Sequence, residues 1–273
     1  MKKLGVLVLC MLVLCSSVNG FADPEPFKTN TFEIGPEFSY VVYNEPDVMQ
    51  EKGWMYGVSG SYAYHNKFML GLDGKISWGH VDYSSDDSGE VSDIPNTMME
   101  CRGVLGYDFL ALENANLLFY ITPYLGLGYR YLKDNADGKK TDKGRLTYER
   151  ESNYLYTPMG LEIVTKMDNG WTIGGTAEYD LFWQGWQKSH LGTAVAEFDT
   201  VNNVQHRGFG VRGSVMFAKE WEHIGLVLEP YIRYWNIDKS EESDIRYSGV
   251  IVGYGYEPKN TSAEYGIKVS LTF

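Results

Sequence analysis

Cysteine is nearly missing from this chain. Only Cys10, Cys15 and Cys101 occur in 273 residues. The first two fall in an apolar N-terminal stretch, so a mature form keeps one thiol and no internal disulfide. Long apolar runs are missing beyond that stretch, which leaves nothing to cross a bilayer as a helix. Helical periodicity is missing too. Basic residues are scarce, with 24 Lys and Arg against 36 Asp and Glu and a formal net charge of −12. That balance excludes nucleic acid as a partner, because binding it needs a basic footprint. There is no H-E-x-x-H and no Gly-rich phosphate loop. The run "DNADG" at 134–138 lacks the alternating oxygen ligands of a calcium loop. No metal and no cofactor is expected.

What is present starts with a leader. Lys2 and Lys3 precede the apolar run "LGVLVLCMLVLC", and small residues lead to "GFA" before Asp23. This is the pattern of a cleaved signal peptide over 1–22. A lipoprotein site at Cys15 is disfavoured, since Leu14 stands where a small residue is needed. Loss of Lys2 and Lys3 takes the charge from −12 to −14. The mature domain is expected over 23–273.

That domain alternates. Segments near 31–43, 54–65, 67–83, 97–110, 116–133, 151–166, 171–187, 204–219, 224–237 and 261–273 place apolar and polar residues on opposite parities, as strands with two different faces require. Their connections also alternate. "HNK", "LENAN", "MDNG" and "KEWEHIG" are short. "YNEPDVMQEKG", "SSDDSGEVSDIP", "KDNADGKKTDKGRLTYERES", "QKSHLGTAVAEFDTVNN" and "NIDKSEESDIRYSGVIVGYGYEPKN" are long and polar. Short turns at one end and long loops at the other predict an all-β, antiparallel up-and-down transmembrane barrel of ten strands. The apolar run "YSGVIVGYGYE" at 247–257 forms a hairpin above the barrel, caps its mouth, or raises the count to twelve.

The seven Trp residues fall near strand ends. Trp171 and Trp221 adjoin short turns, and Trp54, Trp78, Trp183, Trp186 and Trp235 lie toward the long loops. They are expected to form two aromatic girdles. Cys101 falls on the outward apolar parity. The opposite parity carries Glu33, Glu37, Asp73, Lys75, Glu100, Arg102, Arg130, Glu162, Glu178, Asp180, Arg212, Glu229, Arg233, Glu264 and Lys268. Charges of both signs in so narrow a lumen must pair to offset desolvation. A salt-bridged plug is expected, with a narrow ion or water path as the alternative.

The final stretch "SAEYGIKVSLTF" alternates to Phe273. Through Tyr265, Ile267, Val269, Leu271 and Phe273 it resembles the C-terminal strand of bacterial outer-membrane proteins. The resemblance implies recognition by the barrel-assembly machinery, closure of this strand against the first, and residence in the outer membrane of a Gram-negative bacterium. Lipid and lipopolysaccharide are then the surrounding partners, with the basic Lys139, Lys140, Lys143 and Arg145 and the acidic Asp86, Asp87, Glu90, Asp93, Glu241, Glu242 and Asp244 in the loops.

The ten-strand architecture, most of all from "YTPMGLEIVTKMDNGWTIGGTAEYD" to the end, is similar to that of the omptins, outer-membrane proteases. Their Asp pair and Asp-x-His pair are not matched. Asp82, Asp86 and Asp87 lack Asp-x-Asp spacing, and Lys188 stands two before His190. Asp199 and His206 are wrongly spaced as well. No catalytic residue is carried over. His65, His80 and His223 read as lone surface or interface groups. The expectation is a monomeric, non-enzymatic scaffold for long outer loops, serving adhesion, ligand contact or envelope integrity. The alternatives are a narrow porin-like channel and an omptin-like hydrolase.

Overall fold

The computed structural model describes residues 29–273 except Ala115 and His223. The expected signal peptide and His223 lie outside the described residues. Alternation becomes strand almost throughout. The strands are β1 Asn30–Glu45, β2 Met49–Asn66, β3 Phe68–Ser85, β4 Gly89–Tyr107, β5 Phe109–Asn114, β6 Leu117–Asn135 and β7 Glu149–Met167. They continue with β8 Trp171–His190, β9 Val201–Gln205, β10 Gly208–Glu220, β11 Gly225–Ile237, β12 Ser243–Tyr247, β13 Val250–Gly255 and β14 Asn260–Thr272.

β4 and β5 lie in line against β6, and β9 and β10 lie in line against β8, so each couple makes one stave. Ten antiparallel staves result. β14 pairs with β11 on one side and β1 on the other, which closes the barrel. Phe273 donates its N–H to the Phe32 carbonyl at 3.0 Å. Closure leaves no unpaired backbone edge facing lipid. The hairpin β12–β13 stands outside the ring as its own two-stranded sheet, so the count is ten and not twelve.

The end holding both termini has tight turns, at Lys67 (φ 62°) and at Asp168-Asn169-Gly170, where Gly170 takes φ 79°. At the far end two of the expected long loops are mostly strand. β1 and β2 run on to a turn at Asp47, and β3 and β4 run on to a turn before Gly89. The reason is length. A stave of 18–20 residues at about 3.4 Å each and a tilt near 40° rises roughly 50 Å, about twice the apolar band of a barrel. The polar half still pairs its backbone in water, so polarity alone did not mark its loss of strand.

Two further differences come from single residues. The segment expected as continuous over 97–110 breaks at Asp108. There the backbone N–H donates to the Lys67 carbonyl at 2.8 Å. The carboxylate takes His65 Nδ1 at 2.9 Å and the Thr122 hydroxyl at 2.7 Å. Trp235 is not in a girdle. It is 1% exposed, because it shares the inward face of β11 with Arg233, two residues before. Trp54, Trp78, Trp171, Trp183, Trp186 and Trp221 are exposed on the outside or at the turns. Tyr265, Ile267, Leu271 and Phe273 are exposed on the outer face of β14, and Val269 shares that face. Cys101 is exposed.

Candidate functional site

The inward charges assemble in layers. Nearest the termini, Lys268 holds Glu229 at 2.6 Å and Glu33 at 3.4 Å. Above it Lys75 and Arg233 share Glu37 and Glu264, at 2.7–3.3 Å. Beside them Arg102 bridges Asp73, its cross-strand partner, and Glu178, at 2.7 and 2.6 Å. Arg212 contacts Glu100, Glu178 and Asp180, at 2.8–2.9 Å. Charge-assisted, multidentate Arg contacts of this kind are the geometry that can offset desolvation.

Two of the expected lumen residues differ. Arg130 has no carboxylate within 4 Å among the described residues. It donates to the Ser262 hydroxyl at 3.3 Å and lies 5.6 Å over the Trp235 ring. Its stave row meets the apolar side of the lumen, where a cation–π contact replaces an ion pair. Glu162 lines the cavity near the termini together with His65.

Three inward tyrosines complete the network. Tyr156 opposes Gly128, Tyr124 opposes Gly160 and Tyr231 opposes Gly266 across their strand pairs. Each ring lies where a Cβ on that glycine would overlap it. The hydroxyls reach Glu100, Glu178 and Glu37, each at 2.6 Å. Only the alternation of Tyr and Gly on one parity signals this in the sequence.

Past these layers the inward side chains are aromatic. Tyr154, Tyr156, Phe182, Trp235 and Ile237 form one buried cluster, with Leu132 against it. Tyr156 and Trp235 meet edge to face, ring centroids 5.0 Å apart. A cavity of about 310 Å³ reaches from the terminal end, at Thr31, Lys166 and Thr272, up to Lys75 and Arg212. A separate one of about 50 Å³ lies on the far side, against Arg130 and Arg150. No residue lines both.

The far chamber has its own network, hidden from sequence reading because its residues fell in expected loops. Arg150 contacts Glu45 at 3.1 Å, Glu51 at 2.7 Å and Asp134 at 3.3 Å. Tyr43 donates to Glu45 at 3.0 Å and Glu257 at 3.2 Å. Glu257 lies between β13 and β14, and its carboxyl is pushed up to about 7, by burial first, with Arg150 opposing and Glu45 adding.

Above this chamber the loops brace one another. The β3–β4 turn is laced to the segment after β6. Lys143 donates to the Asp86 carbonyl, and Asp142 accepts the Glu90 N–H at 2.7 Å. Ser248 and Gly249, at φ 48° and 79°, make the tight turn of the β12–β13 hairpin. Its base is pinned by buried amides. Asn203 donates to the carbonyls of Glu241 and Gly255, both 3.1 Å, and Gln205 to that of Asp238, 3.1 Å. Phe198 packs edge to face on Tyr247, and Asp199 N–H donates to the Arg246 carbonyl. The hairpin itself is exposed and apolar. Val250 is 65% and Tyr254 68% exposed, with Ile251, Val252 and Tyr256 between and beside them.

His80, His190 and His206 pair with acids other than Asp82, Asp86, Asp87 and Asp199. Asp82 accepts the Asp93 N–H at 3.0 Å. His80 faces Asp93 at 3.9 Å, His206 faces Glu241 at 3.5 Å, and His190 faces Glu149 and Glu151 at 3.9 Å each.

No protein-family model and no curated protein matches the chain. Among solved structures, the outer membrane protease OmpT from Escherichia coli is similar over 94% of this chain and 99% of its own, at 8% identity and a TM-score of 0.57. The outer membrane protein OprG from Pseudomonas aeruginosa covers 92% and 98%, at 11% identity and a TM-score of 0.34. The Pseudomonas putida toluene transporter TodX covers 90% and 89%, at 9% and 0.35. The first of these likenesses, with the closed ring of ten staves, shows the fold of a bacterial outer-membrane barrel and nothing finer.

Proposed function

We propose that this protein is a closed outer-membrane barrel that works as a scaffold, presenting a rigid apolar hairpin at the cell surface. The terminal end then faces the periplasm and the far end the exterior. An even number of staves, with both termini beside the tight turns, supports that orientation. The protein is exported by its cleaved leader, sits as a monomer among lipid and lipopolysaccharide of a Gram-negative envelope, and is inserted by the assembly machinery through Tyr265 to Phe273. Its activity is contact and not catalysis.

One observation carries the scaffold reading. Hairpin β12–β13 exposes adjacent apolar side chains on both of its faces while Asn203 and Gln205 fix its base. Exposed apolar surface of this kind marks an interaction site, and a pinned base lowers the ordering cost of binding. Cells displaying the barrel should adhere to apolar and protein-coated surfaces. The pair Val252→Asp and Tyr254→Ser should abolish that adhesion without altering barrel folding, since both side chains face solvent. Equal adhesion by both cell types would contradict the reading.

A narrow channel is the second reading, favoured by the cavity of about 310 Å³ that reaches mid-lumen. It requires the aromatic cluster to part, and conductance separates the two.

A further inference from the structure

Beyond the scaffold, the outer wall carries a group of side chains that no role described so far uses. Glu149 and Glu151 are two apart on β7, so they project on one face. His190 is the direct cross-strand partner of Glu149 on β8. The same parity of β8 carries Trp186, two rows nearer the membrane, so the three stand on the outside of the barrel just beyond the exposed aromatics.

The imidazole is held in place. The 191–193 turn fixes its backbone: the Thr193 hydroxyl donates to the His190 carbonyl at 2.9 Å and accepts the Glu149 N–H at 3.1 Å. His190 Nδ1 meets the Thr200 hydroxyl at 3.1 Å. His190 Nε2 is shielded from solvent, has no hydrogen-bond partner, and points at one oxygen of Glu149 and one of Glu151, 3.9 Å from each. With Nδ1 as donor to Thr200, the Nε2 lone pair faces one oxygen of each carboxylate. The three ligand atoms all lie within 4.8 Å of one another. A point between them is roughly 2–2.5 Å from each, the length of a metal–nitrogen or metal–oxygen bond. The orienting contact on the far ring nitrogen is what metal-ligating histidines ordinarily have.

We propose that Glu149, Glu151 and His190 form a divalent transition-metal site on the outer wall, of the zinc class. One imidazole and two carboxylates suit Zn²⁺ better than Ca²⁺, which takes oxygen ligands only. Three protein ligands leave a fourth position for water or an external group. Lys133 contacts the outer oxygen of Glu149 at 2.8 Å, Tyr131 donates to the outer oxygen of Glu151 at 3.0 Å, and Lys188 lies 3.6 Å from the Glu151 oxygen that faces His190; the two lysines balance the carboxylate pair when the metal is absent.

Calorimetric titration of the refolded barrel in detergent with Zn²⁺ tests this, alongside Co²⁺ loading read by visible absorption. One saturable equivalent is expected, with a tetrahedral Co²⁺ band. His190→Ala, and separately Glu149→Gln with Glu151→Gln, should weaken binding at least tenfold and remove the band. His80→Ala and His206→Ala, at the other exposed His–acid pairs, should change neither. Heat-modified gel mobility reports folding, and His190→Gln replaces His190→Ala if the latter does not fold. Absence of saturable binding overturns the proposal. Binding that survives loss of His190 overturns it as well.

Discussion

Tyr156 lies flat over Gly128, its directly opposed partner on β6, and from there gives its hydroxyl to Glu100 at 2.6 Å. The glycine makes room for the ring, and the ring delivers the donor to a buried carboxylate. The same arrangement recurs at Tyr124 over Gly160 and Tyr231 over Gly266. Gly128→Ala should therefore destabilise the barrel by about 1–3 kcal/mol through overpacking. Tyr156→Phe should cost about 1–3 kcal/mol through the lost donor. Urea unfolding in lipid vesicles measures both. A neutral Gly128→Ala would show that the ring moves aside at no cost.

Arg212 is the residue whose loss should hurt most. It is 8% exposed and contacts Glu100, Glu178 and Asp180. Arg212→Ala leaves three buried carboxylates short of a counter-charge, which costs about 3–5 kcal/mol. Lys268, 19% exposed, should cost about 1 kcal/mol when changed to Ala, since water replaces it. The same unfolding series distinguishes the two, and equal losses would contradict the layered account.

Much of this was legible in the sequence, for a stated reason. A lipid-facing stave must alternate, so segments such as 171–187 announced both their faces, and the tight turn at Asn169-Gly170 announced the end of a stave. The inward charges from Glu33 to Lys268 followed from the same parity. Beyond the membrane that constraint lapses, because water suits polar residues on either face. Glu45, Glu51 and Arg150 therefore read as loop while they form a buried network. Residue type suggests a girdle for Trp235, but its parity with Arg233 places it inside. The His65–Asp108 contact and the Glu149–Glu151–His190 group depend on register between strands, which one sequence does not display.

Glu257 should make the far end sensitive to pH. Its carboxyl titrates near 7 in the fold against 4.5 ordinarily. The folded state thus binds the proton more tightly, so this contribution to stability is complete below pH 4.5 and is lost as pH rises through 7. Hydrogen exchange of residues 238–257, corrected for intrinsic rates, should show less protection at pH 8 than at pH 5. Glu257→Gln should level the two. Protection that increases with pH would contradict the assignment.

The most direct measurement is the conductance of the refolded mature barrel in planar bilayers, compared with Tyr156→Ala combined with Trp235→Ala. The account predicts a silent wild type, because the aromatic cluster separates the two cavities, and a steady leak in the double variant. A wild type that conducts steadily, with an ion selectivity altered by Arg212→Ala, would contradict the closed lumen and make the inward charges a filter.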